Sequence, residues 1–277
     1  MKKRLNLAAL TLAIVSTQAL AQAPAAAPAA PATPEHTFAP KVSLYSEYEY
    51  RGIAQTAQKP AVQLNLDYTH SSGLYAGAFA SNVSWIGDTI KEIRLLNPPA
   101  SQFSGGSGSI EIDLFAGYKY TQGDLTLDIG YLRYEYPASS AIIQSASGRP
   151  QFTVLKKPNT DELYLGATYG PVNFKYSRTL SDAFGLVGTK GSTFVELNLS
   201  KEIAPKWTIN GQLARQTYKN FQDGNYTVYK LGATYDIGDG WNAGGYVKDT
   251  NADPTLYTYA GKDFSGARLV VFASKSF

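Results

Sequence analysis

Few side chains in this 277-residue chain could do chemistry: there are two histidines, His36 and His70, and no cysteine. Acids recur two residues apart, as in Glu47/Glu49 and Glu111/Asp113. Hydrolases and acyltransferases generally need a histidine or paired carboxylates beside a nucleophile. His36 falls in an Ala/Pro-rich stretch and His70 beside a short turn, which suits neither to that work. The missing cysteines remove thiol catalysis, disulfide scaffolds and Cys-ligated zinc, and two histidines without cysteine argue against a transition-metal site. Gly105-Gly106-Ser107-Gly108 is the nearest approach to a phosphate-cradling loop, but it leads into a strand rather than a helix. An acid at every second residue is what one face of a strand presents. The expectation is neither an enzyme nor a cofactor or metal protein.

The ends and charges of the chain set the context. Lys2-Lys3-Arg4, an apolar stretch from Leu5 to Val15, and Ala19-Leu20-Ala21 follow the order of a secretory signal, so a signal peptide over residues 1–21 and export are expected. Without Lys2, Lys3 and Arg4, 22 basic residues balance 22 acidic ones. A neutral chain is poorly suited to phosphate neutralisation, and no nucleic-acid partner is expected. Residues 22–40 are rich in Ala and Pro and read as an extended, flexible tether. Beyond the first segment no run of eighteen apolar residues occurs that could form a membrane-spanning helix.

From Lys41 to Phe277 the pattern has period two. Val62, Leu64, Leu66 and Tyr68 oppose Gln63, Asn65 and Asp67; Ile110, Ile112, Leu114, Ala116 and Tyr118 oppose Glu111, Asp113, Phe115 and Lys119. Val42, Leu44, Tyr48 and Tyr50 likewise oppose Tyr45, Glu47, Glu49 and Arg51 in what reads as one first strand. Twelve such segments recur, each near the ~9–11 residues that a tilted strand needs to cross a bilayer. Short links rich in turn residues (Ser71-Ser72-Gly73, Thr121-Gln122-Gly123, Gly170-Pro171, Gly238-Asp239) alternate with long ones such as 85–108 and 137–160. Aromatic residues cluster on the apolar parity at the short-link ends: Tyr68, Tyr118, Tyr120, Tyr169, Trp207, Tyr235, Trp241 and Phe277, as a membrane-interface girdle would require. Tyr48, Tyr50, Tyr131 and Tyr176 are candidates for the opposite belt. The expected fold is all-β: a 12-stranded antiparallel transmembrane up-and-down β-barrel over 41–277, with short periplasmic turns and long extracellular loops.

The front of this barrel resembles a known family. Tyr48-Glu49-Tyr50-Arg51-Gly52-Ile53-Ala54-Gln55-Thr56, then Lys59-Pro60-Ala61-Val62-Gln63, Asp67 through Gly77, and Glu111 through Tyr118 are similar to the opening blocks of the TorF-type porin family, the Gcw_chp bacterial outer-membrane proteins. The resemblance implies an outer-membrane barrel of porin function, with lipid around it. The sequence departs from the family pattern in a longer 85–108 loop. The terminal Phe277 on an alternating strand resembles the signal read by the barrel-assembly machinery during insertion, although Lys275 stands where an apolar residue is usual.

If the polar parity faces inward, the lumen is lined by Glu47, Glu49, Arg51, Asp67, Glu111, Asp113, Lys119, Asp128, Glu162, Lys175, Glu196, Lys230, Lys248 and Arg268, with an internal salt bridge between Glu49 and Arg268. Twelve strands lie between the roughly eight that fill with side chains and the sixteen to eighteen that leave an aqueous channel. Any pore for small hydrophilic solutes or ions should then be narrow, and the acidic excess suggests cations. The loop bearing Asp88, Lys91, Glu92 and Arg94 either folds inward as a constriction or stays exposed. Two rival readings remain: a closed barrel working through its long loops, and a soluble barrel whose apolar parity points inward around a ligand.

Overall fold

The computed structural model describes residues 34–96, 108–137, 139, 157–259 and 261–277, together with the backbone but not the side chains of 93–96. The expected signal peptide over 1–21 and most of the expected tether lie outside the described residues. Among those described, twelve antiparallel strands close into one barrel: β1 (His36–Tyr45), β2 (Ala61–His70), β3 (Leu74–Asn82), β4 (Ile110–Gln122), β5 (Leu125–Glu135) and β6 (Thr160–Tyr169) are followed by β7 (Val172–Thr179), β8 (Thr193–Ala204), β9 (Trp207–Thr217), β10 (Tyr226–Gly238), β11 (Trp241–Thr250) and β12 (Arg268–Ser276). Each strand pairs with its neighbour in sequence, and β1 closes the ring against β12 from Lys41↔Ser276 to Tyr45↔Phe272. β1 begins at His36, five residues before the barrel was expected to start, because Pro40 and its neighbours pair with β2.

Alternation fixes the two faces of the wall. Leu64, Leu127 and Leu197 stay 49%, 46% and 48% exposed, and every strand carries at least one large apolar side chain of this kind on its outer face. A continuous apolar exterior of this extent has no place in water. It also removes the soluble reading, which needs these same residues inside. Among the described residues no helix is long and apolar enough to cross a membrane.

Short turns close one end of the barrel. At the other end the links are long, and described parts of the first two turn inward over the opening. Helix α1 (Trp85–Leu96) lays Ile86 and Ile90 onto an interior cluster that contains Tyr48, Phe79 and Tyr136. The first long link does more. After Tyr45 the chain leaves the wall, and residues 46–60 turn into the lumen as a compact loop with a short ladder, Glu49–Tyr50 against Ile53–Ala54. Arg51 (φ 49°) and Gly52 (φ 82°) form the reversal. Gly52 is required twice over: its backbone is left-handed, and a Cβ there would stand 2.5 Å from Thr250 Cγ2.

Candidate functional site

The inward loop is fastened to seven strands by polar contacts. Arg51 Nη2 pairs with Glu162 Oε2 of β6 at 2.7 Å, while its Nη1 donates to Gln216 Oε1 of β9 at 3.2 Å. Lys230 of β10 meets Glu49 at 2.5 Å, Arg268 of β12 meets Glu47 at 3.4 Å, and Lys248 of β11 donates to the Gly52 carbonyl at 2.9 Å. Tyr48 Oη donates to Glu111 Oε1 of β4, and the Tyr50 and Tyr134 hydroxyls meet at 2.5 Å on β5. Glu49 also accepts from the Gly52 N–H, which ties the turn to itself. The loop's exit is held as well, by Ser84 N to Gln55 O at 2.8 Å and Ala54 N to Phe264 O at 2.9 Å.

These contacts revise the reading of the first strand. Tyr48 and Tyr50 are not belt residues on the outer wall; they lie inside, packed with Phe79, Tyr134 and Phe184. Glu47, Glu49 and Arg51 are inside as expected, but they come from the loop rather than from a strand face. The salt bridge expected between Glu49 and Arg268 is exchanged: Arg268 takes Glu47, and Glu49 takes Lys230. The cause is the bend at Ser46, which carries Glu49 away from the β12 seam and across to β10. Burial raises the pKa of Glu47, with Arg268 and then Lys248 acting against it. Burial acts the same way on Glu49 but is overcome by Lys230 and the Gly52 N–H, which hold that carboxyl below its usual range.

The other expected lining residues divide by height. Glu111, Asp113, Glu162, Lys175, Glu196 and Lys248 are buried; Glu111, Glu162 and Lys248 meet aromatic hydroxyls or the inserted loop, Lys175 lies over the Tyr164 ring, and Glu196 accepts from Asn198 and Gln212. Asp113 accepts no hydrogen bond among the described residues. Asp67, Lys119 and Asp128 lie nearer the short turns and remain partly exposed, together with Asn65, Thr168 and Asn210. This half is a polar vestibule that water can enter. Lys41, on the inward parity of β1, belongs to the same wall and was missed because the barrel was expected to begin there. It adds a base to the lining, but Asp236, on the inward parity of β10 with Lys230 and Thr234, adds an acid, so a small acidic excess remains.

The boundary between the two halves is a floor of rings. Tyr75 reaches Tyr164 and donates to Asp128 at 2.7 Å, while the ammonium groups of Lys119 and Lys175 stand over these rings at 4.8 and 4.2 Å. On the mouth side, a cavity of about 120 Å³ is lined by Arg51 and Gln216 and walled by Trp85, Phe184, Tyr218 and Phe264.

The 85–108 loop, for which an inward and an exposed course were both open, is described only in its first part. Asp88 is buried but is engaged within α1, accepting from Ser84 Oγ at 2.7 Å and facing Lys91 at 3.5 Å. Lys91 is exposed, Glu92 is half-buried, and the Arg94 side chain lies outside the described residues. The narrowing comes from 46–60, with α1 as a lid over it.

Outside the wall, Tyr118, Tyr120, Tyr169, Trp207, Trp241 and Phe277 are exposed at the short-turn end. Tyr68 and Tyr235 stand at the same end, half-covered by Phe38 and Trp207 respectively. Arg133 and Glu135, which break the apolar parity of β5, pair with each other at 2.6 Å, and Arg133 pairs with Asp161 at 2.9 Å. The β4–β5 register runs without a bulge, so the strand simply extends past the apolar band.

The closed ring, the apolar exterior and the charged interior together define a transmembrane β-barrel of the porin type. The chain belongs to the Gcw_chp family, described as bacterial proteins of unknown function, whose model matches residues 28–277. No curated protein matches it in sequence. Among solved structures it is similar to the KdgM porin, at 9% identity and a TM-score of 0.51 over 86% of this chain and 99% of that one. It is also similar to the KdgM porin in complex with disordered oligogalacturonate, at 10% identity and a TM-score of 0.50 over 87% and 99%.

Proposed function

We propose that the protein is an outer-membrane porin-like channel for small hydrophilic solutes or ions, narrowed at rest by residues 46–60. The observation that carries this reading is how the loop is held. It is tied by ion pairs and hydrogen bonds to the wall and stands over a vestibule that is already polar and wet. Polar fastenings of this kind can be exchanged for water as a loop moves, and charged rings at a constriction select what passes. Acids outnumber bases on the lining by a small margin, which favours cations only weakly. That speaks against a dedicated polyanion path of the sort oligogalacturonate would need, the ligand named with the KdgM porin. The TorF-type porin resemblance, an N-terminal signal over 1–21 and insertion by the barrel-assembly machinery agree with an outer-membrane location. The short turns then face the periplasm and the long loops the exterior.

A second reading, a closed barrel working through its long loops, is favoured by the dense packing of α1 and Phe184 over the inserted loop. Planar-bilayer recording of the folded full chain separates the two. The channel reading expects small or brief openings from the native chain and steady, larger ohmic steps from the double variant Glu49→Gln, Arg51→Ala. Silence from that variant, with folding shown by heat-modifiable migration, supports the closed barrel.

A further inference from the structure

The only two histidines of the chain are cross-strand partners: His36 of β1 stands directly opposite His70 of β2 at the short-turn end. Their rings lie 5.2 Å apart, and one ligand atom from each, together with a carboxylate oxygen of Glu35, falls within a span of 4.8 Å. We propose that Glu35, His36 and His70 bind one divalent transition-metal ion on the outer rim of the barrel.

Three features make this more than a chance meeting of side chains. Backbone pairing over ten positions of β1 and β2 fixes the two imidazoles in register, so neither ring's Cα has to be brought in from a distance. Each imidazole is oriented through Nδ1 by a hydroxyl, His36 by Tyr68 Oη at 3.0 Å and His70 by Ser72 Oγ at 2.7 Å. These contacts hold each ring by its Nδ1 edge, with Nε2 on the opposite edge to meet a metal. Glu35 already stands 3.5 Å from His70 Nε2, on the side where the metal would sit. The Ser72 backbone N–H also points at His70 Nδ1, at 3.1 Å, so the Nδ1 edge of that ring is held twice.

The donor set decides the class of ion. Two imidazoles and one carboxylate suit zinc, copper or nickel, whereas calcium and magnesium prefer an all-oxygen shell. Three protein ligands leave a position for water. Phe38, tilted against Tyr68 with ring centroids 5.1 Å apart, gives the site an apolar flank.

The test is a zinc titration of the folded full chain, purified without a polyhistidine tag, in competition with a chromophoric chelator. One zinc per chain is expected, with at least a tenfold loss of affinity in His36→Ala and in His70→Ala. Tyr68→Phe should weaken binding by about tenfold while keeping both ligands. Calcium should not compete. His36→Gln and His70→Asn serve where an alanine variant does not fold. Absence of stoichiometric binding by the native chain, or unchanged binding in the His36/His70 double variant, overturns the proposal. Neither result bears on conductance, so this site and the channel reading stand or fall separately.

Discussion

The phenolic oxygens of Tyr75 and Tyr164 meet at 2.5 Å inside the lumen, across the two glycines that lie between them on β4 and β5. Tyr75 pairs with Gly117, Gly117 with Gly130, and Gly130 with Tyr164, so four strands contribute one row at one height. A Cβ on Gly130 would stand 2.3 Å from the Tyr164 hydroxyl and 2.6 Å from that of Tyr75. The two rings can lie flat against the wall only because the wall is bare there.

Gly130→Ala should therefore cost about 1–3 kcal/mol through overpacking and lift the Tyr75 hydroxyl off Asp128. The urea midpoint of folded barrels in detergent measures this. Tyr164→Phe, which keeps the ring and loses the hydroxyl, should cost less. A Gly130→Ala midpoint equal to that of the native chain would show that the floor is loose.

Arg51 is the most connected residue of the inserted loop, and its partner Glu162 is buried at 1% exposure. Removing one member of a buried pair strands the other charge, at a typical cost of about 3–5 kcal/mol. Arg51→Ala should lower stability by that order and raise single-channel conductance. Replacing both partners together, Arg51→Met with Glu162→Gln, should recover much of the stability while leaving the channel wider.

The orientation of the wall can be tested through charge. Leu127 and Leu197 face outward, whereas Asn198 faces inward, within 3.2 Å of Glu196. Leu127→Arg and Leu197→Arg should each cost ~2–4 kcal/mol, the penalty for arginine at the bilayer midplane. Asn198→Arg gains an acid neighbour and should fold normally with altered conductance. Folding yields into lipid vesicles, compared across the three variants, decide the matter.

Glu47 and Glu49 give the loop opposite responses to pH. Glu47 has a pKa raised by burial, so its contribution to docking is fully present below the ordinary carboxylate range and is lost as pH rises through the raised value. Glu49 is held low despite burial, by Lys230 and the Gly52 N–H, so its contribution is present above the ordinary range and disappears as pH falls through the lowered value. Open probability should thus rise on both sides of an intermediate minimum. Glu47→Gln should flatten the upper limb alone, which recordings over a pH series would show.

Most of the barrel could be read from the order of residues, because each strand states its own two faces locally. Leu127 and Leu197 needed no knowledge of their neighbours to be placed outside. The first strand misled because alternation continues unbroken from Val42 to Arg51, although the wall ends at Tyr45. Glu49 and Lys230 are far apart in sequence, and nothing nearby signals that they meet. The reversal did leave a mark at Gly52, but one glycine in a long link is too common to imply an inward turn. His36 was hidden in the same way: among alanines and prolines it read as tether, and only the register of β1 on β2 places it beside His70.

The inserted loop is synthesised directly after the first strand, yet its cationic partners Lys230, Lys248 and Arg268 belong to the last three strands to be made. Until that final fifth of the polypeptide arrives, the acids of the loop have nothing to lock onto from that side, and the ring has no seam. Sealing of the interior and completion of the ring are thereby one late event, so an unfinished molecule cannot be held shut by the same latch.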